Sequence, residues 1–361
     1  MFALDLQNRF VYSSEASQAY LGYAPADLLG TRASTLISPD ELECIDHELS
    51  GRVDGIDTLV LRGRHRNGLD RWLQCTTAPV LDADSRARIG WTGTALLLTE
   101  EDHPRIVREL HRRTVTGILA DEALETVFQP IADLANGRIV GVEALSRFPS
   151  HPELTPEEVF AQAANAGLAR RMELLAIEHA FSASQQLSER LYLAVNISPP
   201  VLCSPDFIAT LRMADIDLTR VVVEITEHVS VEDYNQLQEC REALRSLGVK
   251  VAIDDAGSGY ASLRHILALQ PDAIKLDRAL VTDVDRDRAR QALVAAFVTF
   301  AQELGATVIG EGVETIEALR TLQTLGVDAA QGYLIGRPTG HRSEWTEWCH
   351  PTDRAAIPGL G

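Results

Sequence analysis

Leu247-Gly248-Val249-Lys250-Val251-Ala252-Ile253-Asp254-Asp255-Ala256-Gly257-Ser258-Gly259-Tyr260 is the stretch that decides the fold. A glycine after Leu247 suits the left-handed residue just past a helix end. The apolar run 249–253 reads as a buried strand. Two adjacent aspartates then close it, although Asp is a poor strand former, and a glycine-rich loop follows. The same order of helix, Leu-Gly and strand recurs at Leu304-Gly305 before 307–309 and at Leu325-Gly326 before 327–330.

Outward from this stretch, helix starts are equally legible. Thr155-Pro156-Glu157-Glu158 is a capping box with Pro at the first helical position. Ser230 with Asp233, and Thr315 before Glu317-Ala318-Leu319-Arg320, are weaker versions. Strands alternating with helices over about 220 residues predict a parallel sheet or a closed barrel. The eight strand candidates are 127–131, 139–145, 193–197, 221–225, 250–253, 273–276, 308–309 and 329–334. Eight favours an α/β barrel of the (β/α)8 type. Asn136-Gly137 between the first two is a hairpin signal, so one early strand is expected to be antiparallel.

At or near the strand ends stand Glu143, Asn196, Glu224, Asp254 with Asp255, Lys275 with Asp277, Glu311 and Gln331. In a barrel these ends converge on one face. A single carboxylate in such a place is better read as a helix cap or a surface residue. The set is different, because converging unpaired carboxylates repel and raise each other's pKa. A divalent cation resolves the repulsion. Oxygen ligands without histidine favour magnesium, manganese or calcium over zinc. Two such ions are a known solution for cleaving phosphodiesters. Lys275 adds a positive charge, in the middle of a strand pattern where a solvated lysine is not expected. The loop after Asp255 reads either as a plain flexible turn or as a loop that helps hold metal and substrate.

The first hundred residues have another character. Short apolar runs at 10–12, 58–61, 72–76 and 89–98 are separated by turn chemistry such as His65-Arg66-Asn67-Gly68. Residues 25–53 read as short helices. This predicts a small α+β domain with an antiparallel sheet. Residues 101–121 then read as a connecting helix, with Ile106, Leu110, Thr114 and Gly117 at helical spacing. It is either a solvated connector or a helix that pairs with its copy in a dimer.

Composition bounds the function. The chain has 361 residues and a formal net charge of −19, which disfavours nucleic-acid polymers and anionic membranes as partners. The five cysteines, Cys44, Cys75, Cys203, Cys240 and Cys349, show no metal-site spacing and fit a reducing compartment. The N-terminus lacks a signal-peptide pattern. The longest apolar stretch, 292–301, is about half the roughly 20 residues of a membrane span and reads as a buried helix. A cytoplasmic protein is expected.

The ordered motifs resemble those of the EAL-domain cyclic di-GMP phosphodiesterases. They are Gln129-Pro130, Glu143-Ala144-Leu145 with Arg147, Asn196-Ile197-Ser198, Glu224-Ile225-Thr226-Glu227, Asp254-Asp255 with its loop, Lys275-Leu276-Asp277, Glu311-Gly312-Val313-Glu314-Thr315 and Gln331-Gly332-Tyr333. The resemblance covers residues 122–340 within an expected barrel domain of 122–346, followed by a tail of 347–361. It implies that Glu143, Asn196, Glu224 and Asp254 are metal ligands and that Asp255 serves a second ion, Mg2+ or Mn2+. It implies that Glu311 is the general base or holds the nucleophilic water, and that Lys275 positions water and stabilises developing charge. Arg147 would contact a substrate phosphate, Gln129 would bind substrate, Glu227 would anchor the glycine-rich loop, and Glu314 and Gln331 would support the site. The implied reaction opens cyclic di-GMP to linear pGpG. A receptor that binds the dinucleotide without cleaving it, and an output partner acting through its first domain, are the rival readings. No Gly-Gly-Asp/Glu-Glu-Phe cyclase motif occurs.

Departures from the pattern are Ala256-Gly257-Ser258-Gly259 in place of the common Phe-Gly-Thr-Gly, and Ser146 and Phe148 where Leu and Trp are common. Residues 1–100 are similar to PAS sensor domains through Asp5 to Tyr12 and Leu21 to Gly30, with Leu97-Leu98-Thr99 in place of the usual Asp-Ile-Thr. The resemblance does not name the PAS ligand. No cysteine stands between Gly30 and Leu36, where a flavin photoreceptor carries one, and His47 reads as a surface residue or a haem ligand. The family habit implies a homodimer.

Overall fold

The computed structural model describes residues 1–37, 57–226, 234–257 and 266–349. Two compact units emerge, one of Met1–Gly117 with Ala161–Leu168 and one of Ile118–Phe160 with Ala169–Gly361.

The first unit is built on a five-stranded antiparallel sheet of β1 (Phe2–Asp5), β2 (Phe10–Ser13), β3 (Asp57–Arg64), β4 (Asp70–Leu81) and β5 (Arg88–Leu97), in the order β2-β1-β5-β4-β3. The sequence reading lacked β1, whose four residues are only half-buried and carry no alternation. The turn at His65–Gly68 joins β3 to β4, with Gly68 at a φ of 86°. Short helices Ala16–Leu21 and Pro25–Leu28 cover one face, where Phe10, Leu21, Leu28, Leu36, Leu61 and Leu73 form the core. A cavity of about 300 Å³ lies within it, and Cys75 is among its lining residues. Burial pushes that thiol up to about 12, which makes it a poor nucleophile. The predicted short helices beyond residue 37, and His47, lie outside the described residues.

A helix, His103–Ala120, occupies most of the stretch 101–121 that the sequence reads as helical. Ile106 is buried against Val60 and Leu98, but Leu110 is exposed, so the expected stripe is only partly a packing face.

The second unit is the predicted barrel. Its strands are β6 (Glu125–Asp133), β7 (Ile139–Arg147), β8 (Tyr192–Asn196), β9 (Val221–Thr226), β10 (Lys250–Ala256), β11 (Ala273–Leu276), β12 (Thr307–Gly310) and β13 (Ala329–Gln331). They close in the order β10-β11-β12-β13-β6-β7-β8-β9. β6 is antiparallel to both neighbours, β7 and β13, as the Asn136-Gly137 turn required. Thr155 and Glu158 form the reciprocal capping box, and Thr315 caps the helix Ile316–Thr324. Gly248, Gly305 and Gly326 all have φ between 69° and 85°. The apolar stretch 292–301 lies in the helix Arg288–Leu304, which buries Val294, Phe297, Val298 and Ala301. No helix among the described residues is long and apolar enough to cross a membrane.

The barrel interior starts with an apolar layer of Ile131, Ala194, Val222, Ala252, Ala273, Ile309 and Ala329. Most are small because Tyr192 shares the space. A Cβ on Gly141 would meet its ring at 2.4 Å, so this glycine is fixed by close approach.

Candidate active site

Side chains on a strand return to the same face every second residue. Two positions beyond the apolar layer, the inward residues are Glu143, Asn196, Glu224, Asp254, Lys275, Glu311 and Gln331. β6 runs the opposite way, so its contribution is two positions earlier: Gln129 before Ile131. Each of the eight strands, or the residue directly after it, thus places one polar side chain in a single ring at the mouth of the barrel.

Lys275 lies at the centre of this ring and is fully buried. Its Nζ is 2.7 Å from Glu224 Oε2, 2.7 Å from Glu311 Oε1, 3.2 Å from Asp254 Oδ1 and 3.5 Å from Glu143 Oε2. Burial alone would push the ammonium toward neutrality. Asp254, Glu143, Glu224 and Glu311 outweigh it and hold the pKa well above the usual lysine value. Burial also drives Glu224 well above the usual carboxylate range; Lys275 opposes that shift, and Glu143 and Asp254 add to it. Glu311 is raised to about 8, again by burial first and despite Lys275.

The amides complete the ring. Asn196 Nδ2 donates to Glu143 Oε1 at 2.7 Å, and Gln331 Nε2 donates to Glu143 Oε2 at 2.6 Å and to Gln129 Oε1 at 3.0 Å. Gln129 Nε2 donates to the Gly336 carbonyl. Glu143 is therefore oriented from both sides. The segment after Asn196 is tied down by Glu173, which accepts from Ser198 N and Oγ, both at 2.8 Å. Burial raises the pKa of Glu173, and these two bonds oppose the rise.

Asp255 reaches the ring by a backbone device. Consecutive strand residues point to opposite faces, so Asp254 and Asp255 should diverge. β10 is irregular between Ile253 and Ala256 against β11, and Asp255 has a φ of 55°. A non-glycine residue in the left-handed region costs about 1–2 kcal/mol. Here it brings oxygens of Asp254, Asp255 and Glu311 within 4.8 Å of one another.

This donor set fits hard divalent cations. It is all oxygen and amide, and four carboxylates face one ammonium, so a fully ionised site keeps three uncompensated negative charges before Asp255 is added. Asp254 Oδ1 is buried and accepts no hydrogen bond, despite its proximity to Nζ. That oxygen therefore keeps acceptor capacity that a cation placed among the carboxylates could use.

Above the ring opens a cavity of about 280 Å³, lined among others by Gln129, Glu143, Asp254, Glu311, Glu314 and Gln331. Arg147, expected to meet substrate, is half-buried at the end of β7 and donates to the Ser146 carbonyl; it is not among the described lining residues. Glu227 and the loop residues 258–260 lie outside the described residues. Asp277 does not join the ring, because its carboxylate caps the helix Arg278–Val281. One lining residue was not singled out from sequence: Arg278, which pairs with Glu314 at 2.8 Å; Tyr333, from the Gln331-Gly332-Tyr333 motif, also lines the cavity and stacks against Arg337 at 4.1 Å. For Arg278 a signal existed, a basic residue two positions after a strand end on a largely acidic face.

Cys203 and Cys240 form a disulfide, with Cα atoms 5.4 Å apart. This departs from the expectation of scattered reduced thiols; the 37-residue separation gave no sequence hint, because the fold alone brings together the segments after β8 and before β10.

Comparison with known proteins follows the same division. The family model for the EAL domain matches residues 112–338, and that for a PAS fold matches residues 10–95. A cyclic di-GMP phosphodiesterase of Pseudomonas aeruginosa is 31% identical over 294 residues, covering 79% of this chain and 49% of that protein. A second from the same species, NbdA, is 32% identical over 61% of this chain and 29% of its own length. The chain thus spans half or less of the curated relatives it matches. Among solved structures, BlrP1 of Klebsiella pneumoniae, in complexes of cyclic di-GMP with calcium and with manganese, is 36% identical. It aligns over 60% of this chain and 56% of its own, with a TM-score of 0.55. The polar ring and the barrel that carries it identify this chain as a member of the EAL domain family, with a PAS fold in its N-terminal part.

Proposed function

We propose that this chain hydrolyses cyclic di-GMP to linear pGpG with the help of divalent cations. The observation that carries this reading is the fully buried Lys275 ringed by Glu143, Glu224, Asp254 and Glu311, with Asp255 turned toward the same place. Glu143, Asn196, Glu224 and Asp254 would hold one ion, and Asp255 with Asp254 and Glu311 would serve a second, as Mg2+ or Mn2+. Such ions activate water and neutralise charge on a transferring phosphoryl group.

The chain's own residues do the rest. Glu311 accepts the proton of the attacking water, a role open to a carboxylate that stands beside the ion site and is held by Lys275. Lys275 keeps its proton, orients Glu224 and Glu311, and offsets charge that develops on phosphorus. Asn196 and Gln331 hold Glu143 in one rotamer. Arg147 and Gln129 contact substrate, Glu227 anchors the glycine-rich loop, and Glu314 supports the rim. Residues 1–100 act as the sensor domain and 101–121 as the connecting helix. Residues 122–346 are the phosphodiesterase domain and 347–361 a tail. The working form is a cytoplasmic homodimer whose rate the PAS domain adjusts.

Purified protein incubated with cyclic di-GMP and Mg2+ or Mn2+ should yield pGpG on chromatography, and Asp254→Ala should abolish it. Retention of the dinucleotide with no product under any metal condition would favour the silent receptor instead.

A further inference from the structure

Arg278 is the only basic side chain among the described residues lining the cavity above the ring. The other charged lining residues, Glu143, Asp254, Glu311 and Glu314, are all acidic. Arg278 follows β11 by two residues and stands three residues after Lys275. Two features place it over the mouth. Its Nη2 donates to Glu314 Oε1 at 2.8 Å. Its aliphatic stem lies across Gly312, where a Cβ would meet Arg278 Cγ at 2.4 Å, and Gly312 has a φ of 64°. A glycine is required there on both counts. Its side chain is 64% exposed, and a guanidinium has five donors in a planar fork. One bond to Glu314 therefore leaves donors available to a ligand.

A cyclic dinucleotide carries two phosphodiesters, each with one negative charge. While one lies at the carboxylate ring, a cation on the rim of the same cavity can meet the other. Resting on the function proposed above, we propose that Arg278 binds the phosphodiester that is not being cleaved, and that Glu314 is the positioning residue that aims it. Arginine suits this role because its fork matches phosphate bidentately.

The test compares cyclic di-GMP with bis(p-nitrophenyl) phosphate, which has a single phosphodiester. For Arg278→Ala, KM for the dinucleotide should rise about 10- to 100-fold, as expected for a lost charged hydrogen bond, with kcat within about threefold. Turnover of the single diester should stay within about threefold of wild type. Arg278→Lys should recover part of the loss, since it keeps the charge without the fork, and it serves as the main variant if the alanine protein does not fold. Glu314→Gln should raise KM for the dinucleotide, by less than Arg278→Ala. A parallel fall on both substrates would overturn the proposal by making Arg278 a support of the ring, and an unchanged KM would overturn it outright. If wild type turns over no dinucleotide, the proposed hydrolysis fails by itself. Arg278 is then judged by the Kd of the dinucleotide, which should weaken by the same factor, and an unchanged Kd sinks the inference.

Discussion

Lys275 Nζ and Glu311 Oε1 are 2.7 Å apart, yet Glu311 retains a carboxyl pKa of about 8. The neighbouring ammonium does not compensate for removal from water, because it is shared with three other carboxylates. The site is thus held together by one cation and strained by the acids around it.

Replacing that cation should expose the strain. Lys275→Met leaves buried carboxylates with no counter-charge, and breaking a buried ion pair costs about 3–5 kcal/mol. Thermal unfolding should show a lower Tm in metal-free buffer, with much of the loss restored by Mn2+. Activity should not return with the metal. A variant that melts like wild type in metal-free buffer would show that the ring is not strained as described.

Metal affinity should depend on pH with a definite sign. The folded Glu311 value of about 8 exceeds its unfolded value, so between the ordinary carboxylate range and pH 8 the metal-free fold binds the extra proton. Its stability therefore falls as pH rises through that window. A cation must displace that proton, so binding should tighten between pH 6 and pH 8.5. Calorimetry in buffers of different ionisation enthalpy should record proton release at pH 6.5 and less of it at pH 8.5. Affinity that is flat with pH would assign the proton elsewhere.

Asp255 allows its backbone and its carboxylate to be separated. At a φ of 55°, glycine is free of the steric cost that alanine bears. Asp255→Gly should be more stable than Asp255→Ala by about 1 kcal/mol, while both lose turnover together. If the glycine variant keeps activity, the carboxylate is not part of the site.

The Cys203–Cys240 disulfide closes a loop of 37 residues that includes β9 and Glu224. Chain-entropy arguments give such a crosslink about 2–4 kcal/mol. Reductant should therefore lower the Tm of the oxidised wild type and leave Cys240→Ser unmoved. An equal response from both proteins would remove the crosslink as the cause.

Much of this protein was determined by sequence alone. Helix-end glycines, capping residues and eight apolar runs specify a barrel locally, because each rests on contacts within a few residues. The carboxylates at the strand ends were legible for the same reason: Asp and Glu are out of place directly after buried strands. The tertiary structure decided what depends on closure and on chain direction. Reversal of β6 brings Gln129 to the same rim as Gln331, which no strand-end rule foretells. The irregularity in β10 turns Asp255 back beside Asp254, against strand alternation. Closure sets Lys275 among four acids from four other strands, and it diverts Asp277 into a helix cap instead. Arg278 gained its place only when Gly312 and Glu314, more than thirty residues later, folded against it. Sequence spacing encodes which face a side chain takes on its own strand, whereas the distances between charges on different strands exist only once the barrel is closed.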